Sequence, residues 1–287
     1  MGILFALLAM ALWGGEELFL KKAIGPLKSF TMLFINTASG FIIVLIGVFV
    51  FFRDEITIIS GSDFLMILAT AMLGFVGWLY FYKALERQEL SLIASLDESW
   101  IVIAVLIGIF FFGESIGVLH GIAIIAVLIG AFFVSANFSH LRHINFISGS
   151  GYEATSIVAV GLTVPLEKIM VTSIGEANTI LYIYILTLFF ILLWGVVSGW
   201  NRAVRPTNTL FKTAAASGLF DSLSFFFFLF ALQATEIAIV SPIVASSVVV
   251  ALVLARIYLK EKMTPKEIFG AVLILAGVII LSVIAGE

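Results

Sequence analysis

The chain has 287 residues, 62% of them hydrophobic and 11% charged, with a mean hydropathy of +1.22. Soluble domains carry about 25% charged residues and need a polar exterior, so a water-soluble fold of this size is excluded. The net charge of −3 offers no basic field to nucleic acid, and the absence of cysteine excludes disulfides, thiolate metal sites and cysteine nucleophiles.

A helix crossing roughly 30 Å of hydrocarbon needs about 20 apolar residues. Ten such segments follow one another: 3–22, 29–51, 63–84, 91–112 and 116–136, then 152–172, 177–199, 209–232, 238–258 and 267–285. The first has no basic leader and no small-residue cleavage site, so it is expected to be a helix and not a signal peptide. Short connectors carry the punctuation, among them Gly25-Pro26, Arg53-Asp54-Glu55, Gly61-Ser62-Asp63, Arg205-Pro206-Thr207-Asn208 and Thr264-Pro265. Period-2 alternation is absent, which argues against a β-barrel. The longest hydrophilic stretch divides a first five-helix repeat (1–137) from a second (152–287), with 138–151 as linker and no soluble domain.

The two halves repeat one another. Ala84-Leu85 recurs as Ala231-Leu232, Glu89 as Glu236, Glu114 as Glu261 and Leu128-x-Gly130 as Leu275-x-Gly277, every pair 147 residues apart. Five helices is an odd number, so the second half enters the membrane in the opposite sense. The expected fold is therefore an all-α integral membrane protein of ten transmembrane helices in two inverted five-helix repeats. Inverted repeats typify carriers that work by alternating access.

Several motifs carry a family resemblance. Trp13-Gly14 stands in helix 1 with Lys21 after it, and Gly113-Glu114 ends helix 4. The second half closes with Glu261-x-x-Thr264-x-x-Glu267-x-x-Gly270, followed by Gly277. Over essentially its whole length the chain resembles the ten-helix drug/metabolite transporter superfamily, specifically its EamA-like members. Gly121 departs from the pattern by standing two residues earlier in its repeat than Gly270, helix 4 lacks a proline, and Gly14-Gly15-Glu16-Glu17 puts charge where the family is usually uncharged. The resemblance implies transport of small metabolites, often amino acids, through a central cavity lined mainly by helices 1, 3, 4, 6, 8 and 9. Trp13, Gly14, Glu114, Gly130, Glu261 and Gly277 are expected to serve structure, the two glutamates as capping or gating elements at helix ends.

Connectors after odd-numbered helices carry 13 Lys and Arg, those after even-numbered helices only Arg53. The positive-inside rule then places the odd connectors in the cytoplasm and both termini outside, whereas many relatives keep their termini inside. The expected location is the plasma membrane, as a multi-pass protein.

Ionisable residues at membrane depth face a cavity or a partner. Glu16 and Glu17 lie in the later half of helix 1, Asp97 and Glu98 in the earlier half of helix 4. These half-helices reach the same membrane side, so all four acids sit on the order of 5–7 Å from the midplane. Their counterparts in the second half, Thr163, Val164, Val244 and Ala245, carry no charge. The layer is expected to bind protons or a cationic group of the substrate, since crowded carboxylates repel one another and a bound cation relieves this. The plainer alternative pairs Glu17 with Lys21 at i and i+4. Asp221-Ser222, in the middle of helix 8, is the other expected pathway element. Glu167-Lys168, after Pro165, serves either the pathway or a local ion pair. Trp78, Tyr80, Tyr82 and Trp100 offer an aromatic wall.

An intramembrane lipid-processing enzyme is the rival class. It would use clustered aspartates for Mg²⁺, but Asp54, Asp63, Asp97 and Asp221 are scattered. No P-loop is present. The expectation is thus a non-enzymatic secondary carrier, an exporter of small organic solutes such as amino acids, with protons and membrane lipid as further partners. Passive uniport or exchange is the alternative mode. No cofactor, metal or nucleic acid is expected, and the protein works as a monomer or homodimer.

Overall fold

A backbone surrounded by hydrocarbon must bond to itself, so long apolar runs fold as helices. The computed structural model describes residues 1–24, 26–87, 93, 96–114, 117–135, 150–198, 205–260 and 263–284. In order come α1 (Gly2–Ala23), α2 (Ser29–Phe51), α3 (Gly61–Leu85), α4 (Trp100–Phe112), α5 (Val118–Ser135), α6 (Ser150–Ile174), α7 (Glu176–Ser198) and α8 (Asn208–Ala234). They are followed by α9, in two pieces (Ile237–Ala245 and Ser247–Leu254), and α10 (Pro265–Ile284). Among the described residues there is no strand. The helices match the ten expected segments, and large apolar side chains such as Ile42, Phe110, Val197 and Ile279 face outward, where lipid would cover them. The sequence-read linker falls almost wholly outside the described residues, α6 beginning at Ser150.

The repeat offset of 147 is written into the packing. A Cβ on Gly14 in α1 would lie 2.6 Å from the Ser247 carbonyl oxygen of α9, and one on its counterpart Gly161 in α6 would lie 3.0 Å from that of Trp100 in α4, the counterpart of Ser247. A Cβ on Gly130 in α5 would lie 2.6 Å from the Gly270 oxygen of α10, and one on Gly277 would lie 2.7 Å from the Ala123 oxygen. Gly130 and Gly277 are counterparts, as are Ala123 and Gly270. Each pair therefore maps onto the other when the halves are exchanged. Small residues of this kind let membrane helices approach to backbone contact, where dispersion replaces the missing hydrophobic drive.

Two equivalent helices are broken. Helix 4 is expected over 91–112, but its continuous part begins at Trp100, after a turn at Glu98 and Ser99. The ninth breaks at Ser246, the counterpart of Ser99. In both, the Ser N–H bonds three residues back (Ser99 to Leu96, 2.9 Å; Ser246 to Ile243, 3.1 Å), and the Ser carbonyl accepts from three residues on (Val102, 3.1 Å; Val249, 3.0 Å). The local causes differ. Asp97 and Ser99 are residue types whose side chains compete with the helix for backbone bonds. In α9, Pro242 removes a donor, and the Ser246 hydroxyl donates to the Pro242 carbonyl at 2.8 Å.

The membrane end where α1 starts is closed by polar ties. Glu114, buried at the end of α4, accepts the N–H groups of Ile237 (2.8 Å) and Ala238 (2.9 Å), so it caps α9 from the opposite repeat. Lys168 of α6 donates to the carbonyls of Leu232 and Thr235 (2.9 Å for the latter) at the end of α8. Anion at the N-terminus and cation at the C-terminus are the favourable signs for helix dipoles. Phe5, Phe52, Phe226 and Phe230 cluster at the same end, with centroids 5.1–5.8 Å apart. Glu261, the repeat partner of Glu114, lies outside the described residues.

Filling the α5–α10 contact tests this packing. Gly130→Leu is expected to destabilise the protein by about 1–3 kcal/mol or more through overpacking, read as a lower thermal unfolding midpoint in detergent. Gly47→Ala, where an added Cβ meets nothing, should leave stability unchanged or slightly raised. Wild-type stability of Gly130→Leu would mean that the two helices do not meet backbone to backbone.

Candidate functional site

The break before α4 and the break within α9 both border a cavity of about 210 Å³. That is more than ten times the roughly 10–15 Å³ that one water requires. Its wall takes residues from α1 to α4 and α6 to α9. It is wider than the family resemblance implies, because α2 adds Leu33, Asn36 and Thr37, and α7 adds Ile183, Tyr184 and Thr187. The contributions come from the end of α1, the start of α2, the end of α3 and the start of α4, so the cavity runs from mid-membrane towards the side opposite the polar ties.

Counterpart positions line it together. Trp13 and Val160, Glu16 and Thr163, Glu17 and Val164, Leu20 and Glu167, Thr37 and Tyr184, Gly74 and Asp221, Asp97 and Val244, Glu98 and Ala245 are all in the wall and all separated by 147. In most of these pairs one member is polar and the other apolar. The backbone frame is symmetric while the chemistry is not.

Of the expected pathway residues, Glu16, Glu17, Asp97, Glu98, Trp100, Glu167 and Asp221 line the cavity, and so does Trp13. Lys168 and Ser222 are absent from the wall. Lys168 is committed to the carbonyls at the end of α8. Ser222 is buried between α8 and α2, its hydroxyl donating to Leu219. Trp78, Tyr82 and Trp100 are wall residues, whereas Tyr80 packs on Tyr152 at 5.4 Å and under the Lys83 ammonium at 4.6 Å.

Two acids are held by donors from across the bundle. Asp221 accepts the Trp13 indole N–H at 3.0 Å and the Tyr184 hydroxyl at 3.5 Å. Glu16 accepts the Ser217 hydroxyl at 2.9 Å and the Asn36 amide at 3.4 Å, and Asn36 also donates to Ser217 at 3.2 Å. Asp221 and Glu16 lie close enough to repel, as do Glu17, Asp97 and Glu98 among themselves, with Lys21 acting on Glu17 from one turn away. Asn36, Ser217 and Tyr184 were not read from sequence. Asn36 carried a usable signal, an amide within an apolar helix, but the uncharged hydroxyls look like any helix-packing residue.

Six carboxyl groups thus line one cavity, and among the described wall residues there is no Lys, Arg or His. Two like charges about 4 Å apart cost about 4 kcal/mol at an effective dielectric of about 20. Ionised together, the crowded acids of this wall would repel one another.

A family model described as the EamA-like transporter family matches residues 1–136 and 149–283. No curated protein matches the chain. A solved structure described only as "Crystal structure of protein" is similar with a TM-score of 0.82 and 13% identity, covering 99% of this chain and 99% of that one. At that identity the likeness concerns the fold alone.

Ser217→Ala removes a donor from the buried Glu16. It is expected to cost about 1–3 kcal/mol, seen by thermal unfolding in detergent, and less when combined with Glu16→Gln, because the two side chains share one bond. Strict additivity of the two substitutions would show that this bond contributes nothing.

Proposed function

We propose, from the premise that this chain belongs to the EamA-like transporter family, that it is a secondary active exporter of small organic solutes bearing a cationic amine, coupled to protons. The family makes it a membrane transporter of the drug/metabolite type; substrate class, coupling and direction are our reading. The single observation that carries the reading is the wall itself, six acids with no Lys, Arg or His among its described residues. Trp13, Trp78, Tyr82, Trp100 and Phe225 add aromatic faces, which attract cations through the ring quadrupole. Amino acids are the usual cargo that the resemblance implies. A zwitterion brings a carboxylate, however, and among the described wall residues there is no cation to receive it, so an amine suits the site better.

In this reading Asp221 and Glu16, already fixed by donors, orient the ammonium, while the crowded acids Glu17, Asp97 and Glu98 take and release protons. Exchange of a proton for a cationic solute keeps the charge of the cavity constant, so neither side of the cycle leaves six bare carboxylates in a poorly hydrated space. We place the protein in the plasma membrane with its Lys- and Arg-rich connectors in the cytoplasm, which directs the cavity to the cytoplasm and suits export. The helix-capping ties of Glu114 and Lys168 then stand at the outer end, and alternating access requires the one that crosses between the repeats, Glu114 on α9, to part.

Proteoliposomes given labelled small amines and amino acids, with and without an imposed pH gradient, test this. Saturable amine flux that accelerates with the gradient is expected. Glu17→Gln, Glu98→Gln and Asp221→Asn should each lower the gradient-driven part by roughly 10- to 100-fold, the worth of one charged hydrogen bond, while remaining folded. Wild-type gradient-driven flux in all three variants would sink the coupling. Flux indifferent to pH would leave a passive uniporter or exchanger, and preference for zwitterionic amino acids would overturn the amine assignment.

A further inference from the structure

Glu153 has no place in the cavity wall and was not marked by the sequence. It stands in the first turn of α6, fully enclosed, and among the described residues no donor reaches either of its carboxyl oxygens. A buried charge without a partner is strongly unfavourable. The group that meets it is the carboxyl of Asp97, at hydrogen-bonding range, from the segment just before the break in helix 4. Both carboxylates are acceptors only, and two acceptors cannot bond unless one of them carries a proton.

The surrounding charges do not remove the difficulty. Glu17 from α1 and Glu98 beside the break add negative charge around Asp97, and Lys21 of α1 acts on Glu17. Lys83 of α3 and Arg87, just past its end, lie over the ring of Tyr152, at 5.9 and 4.8 Å from its centroid. Tyr152 is the chain neighbour of Glu153, yet neither cation donates a hydrogen bond to the Glu153 oxygens. Packing does not demand acids at this place either. The repeat counterparts of Glu153 and Asp97 are Ala6 and Val244, both buried and apolar.

We propose that Asp97 and Glu153 form a proton-binding site in which one proton is shared between the two carboxyl groups, joining the broken helix α4 to α6. Asp97 lines the cavity and Glu153 lies behind it, so the proton arrives from the cavity through Asp97. With the proton present, the O–H of one carboxyl donates to the other and the pair holds the break against α6. With the proton gone, two like charges face one another and the segment before Trp100 is pushed from α6. This deepens the proton-coupled reading of the cavity by adding a site behind its wall. Among the described residues no three acidic or histidine side chains group as a metal site would require. The Ser156 hydroxyl, one turn along and also buried without a partner, makes sodium the competitor to exclude.

The test needs no transported substrate, so it stands or falls apart from the flux measurements. Infrared spectra of the full-length protein in lipid, taken from mildly acid to mildly alkaline pH, read the C=O stretch of protonated carboxyls. One shared proton predicts that Glu153→Gln and Asp97→Asn each abolish the same pH-sensitive component, and that the double variant loses nothing further. Gln and Asn preserve shape and supply an amide donor, and monodisperse elution checks the fold of each. Additive losses would show two independent acids and overturn the proposal. A component unchanged in both single variants, or one that does not respond to pH, would overturn it as well. Displacement of the component by sodium at constant pH would show a sodium site in its place.

Discussion

Inside a bilayer the backbone has no water to bond to, and every other feature of this protein answers to that constraint. Seven of the eight long helices run without a break. Ser99 and Ser246 mark breaks, and irregular backbone at membrane depth is tolerated only where it lines a cavity or is buried in protein. Both breaks are placed so. Glu98 and Trp100 flank the first in the cavity wall, and Ala245 and Ser247 flank the second. Short bonds between residues three apart repair each break. The cavity exists where the helices stop being regular, on a pseudo-twofold arrangement held by glycines at the α1–α9, α4–α6 and α5–α10 contacts.

The symmetry of this frame gives meaning to the asymmetry of its side chains. Where the first repeat puts Glu16, Glu17, Asp97 and Glu98 in the wall, the second puts Thr163, Val164, Val244 and Ala245. Where the second puts Asp221 and Glu167, the first puts Gly74 and Leu20. Uncharged residues fill the equivalent positions of the other half, so the symmetric packing does not by itself call for acids there.

At the opposite end, charges serve helix ends. Glu114 meets the N–H groups that open α9, and Lys168 meets the carbonyls that close α8. The Glu114 tie joins the first repeat to the second, whereas the Lys168 tie joins two helices of the second repeat. Each binds backbone groups that water could also satisfy if the end were exposed. Lys21 and Glu261 stand at the counterpart positions, so the same pair of residue types recurs in each half.

The ten helices, their inverted duplication and the membrane class were legible in the residues, because hydrophobic length and an unbroken offset of 147 need no knowledge of contacts. The wall positions of Glu16, Glu17, Asp97, Glu98 and Asp221 were legible for a related reason, since an acid at membrane depth has few places to go. Tertiary structure alone decided the rest. It turned Lys168 and Ser222 away from the cavity and brought Asn36 and Ser217 to Glu16, pairings separated by 20 and 201 residues. It also set Glu153 behind Asp97, although Glu153 begins a helix and reads in the sequence as an ordinary first-turn acid. Which polar groups meet is a property of how helices are rotated against one another. That rotation is set by small residues such as Gly14, Gly161 and Gly130 at distant contacts, not by the local pattern in which each acid sits.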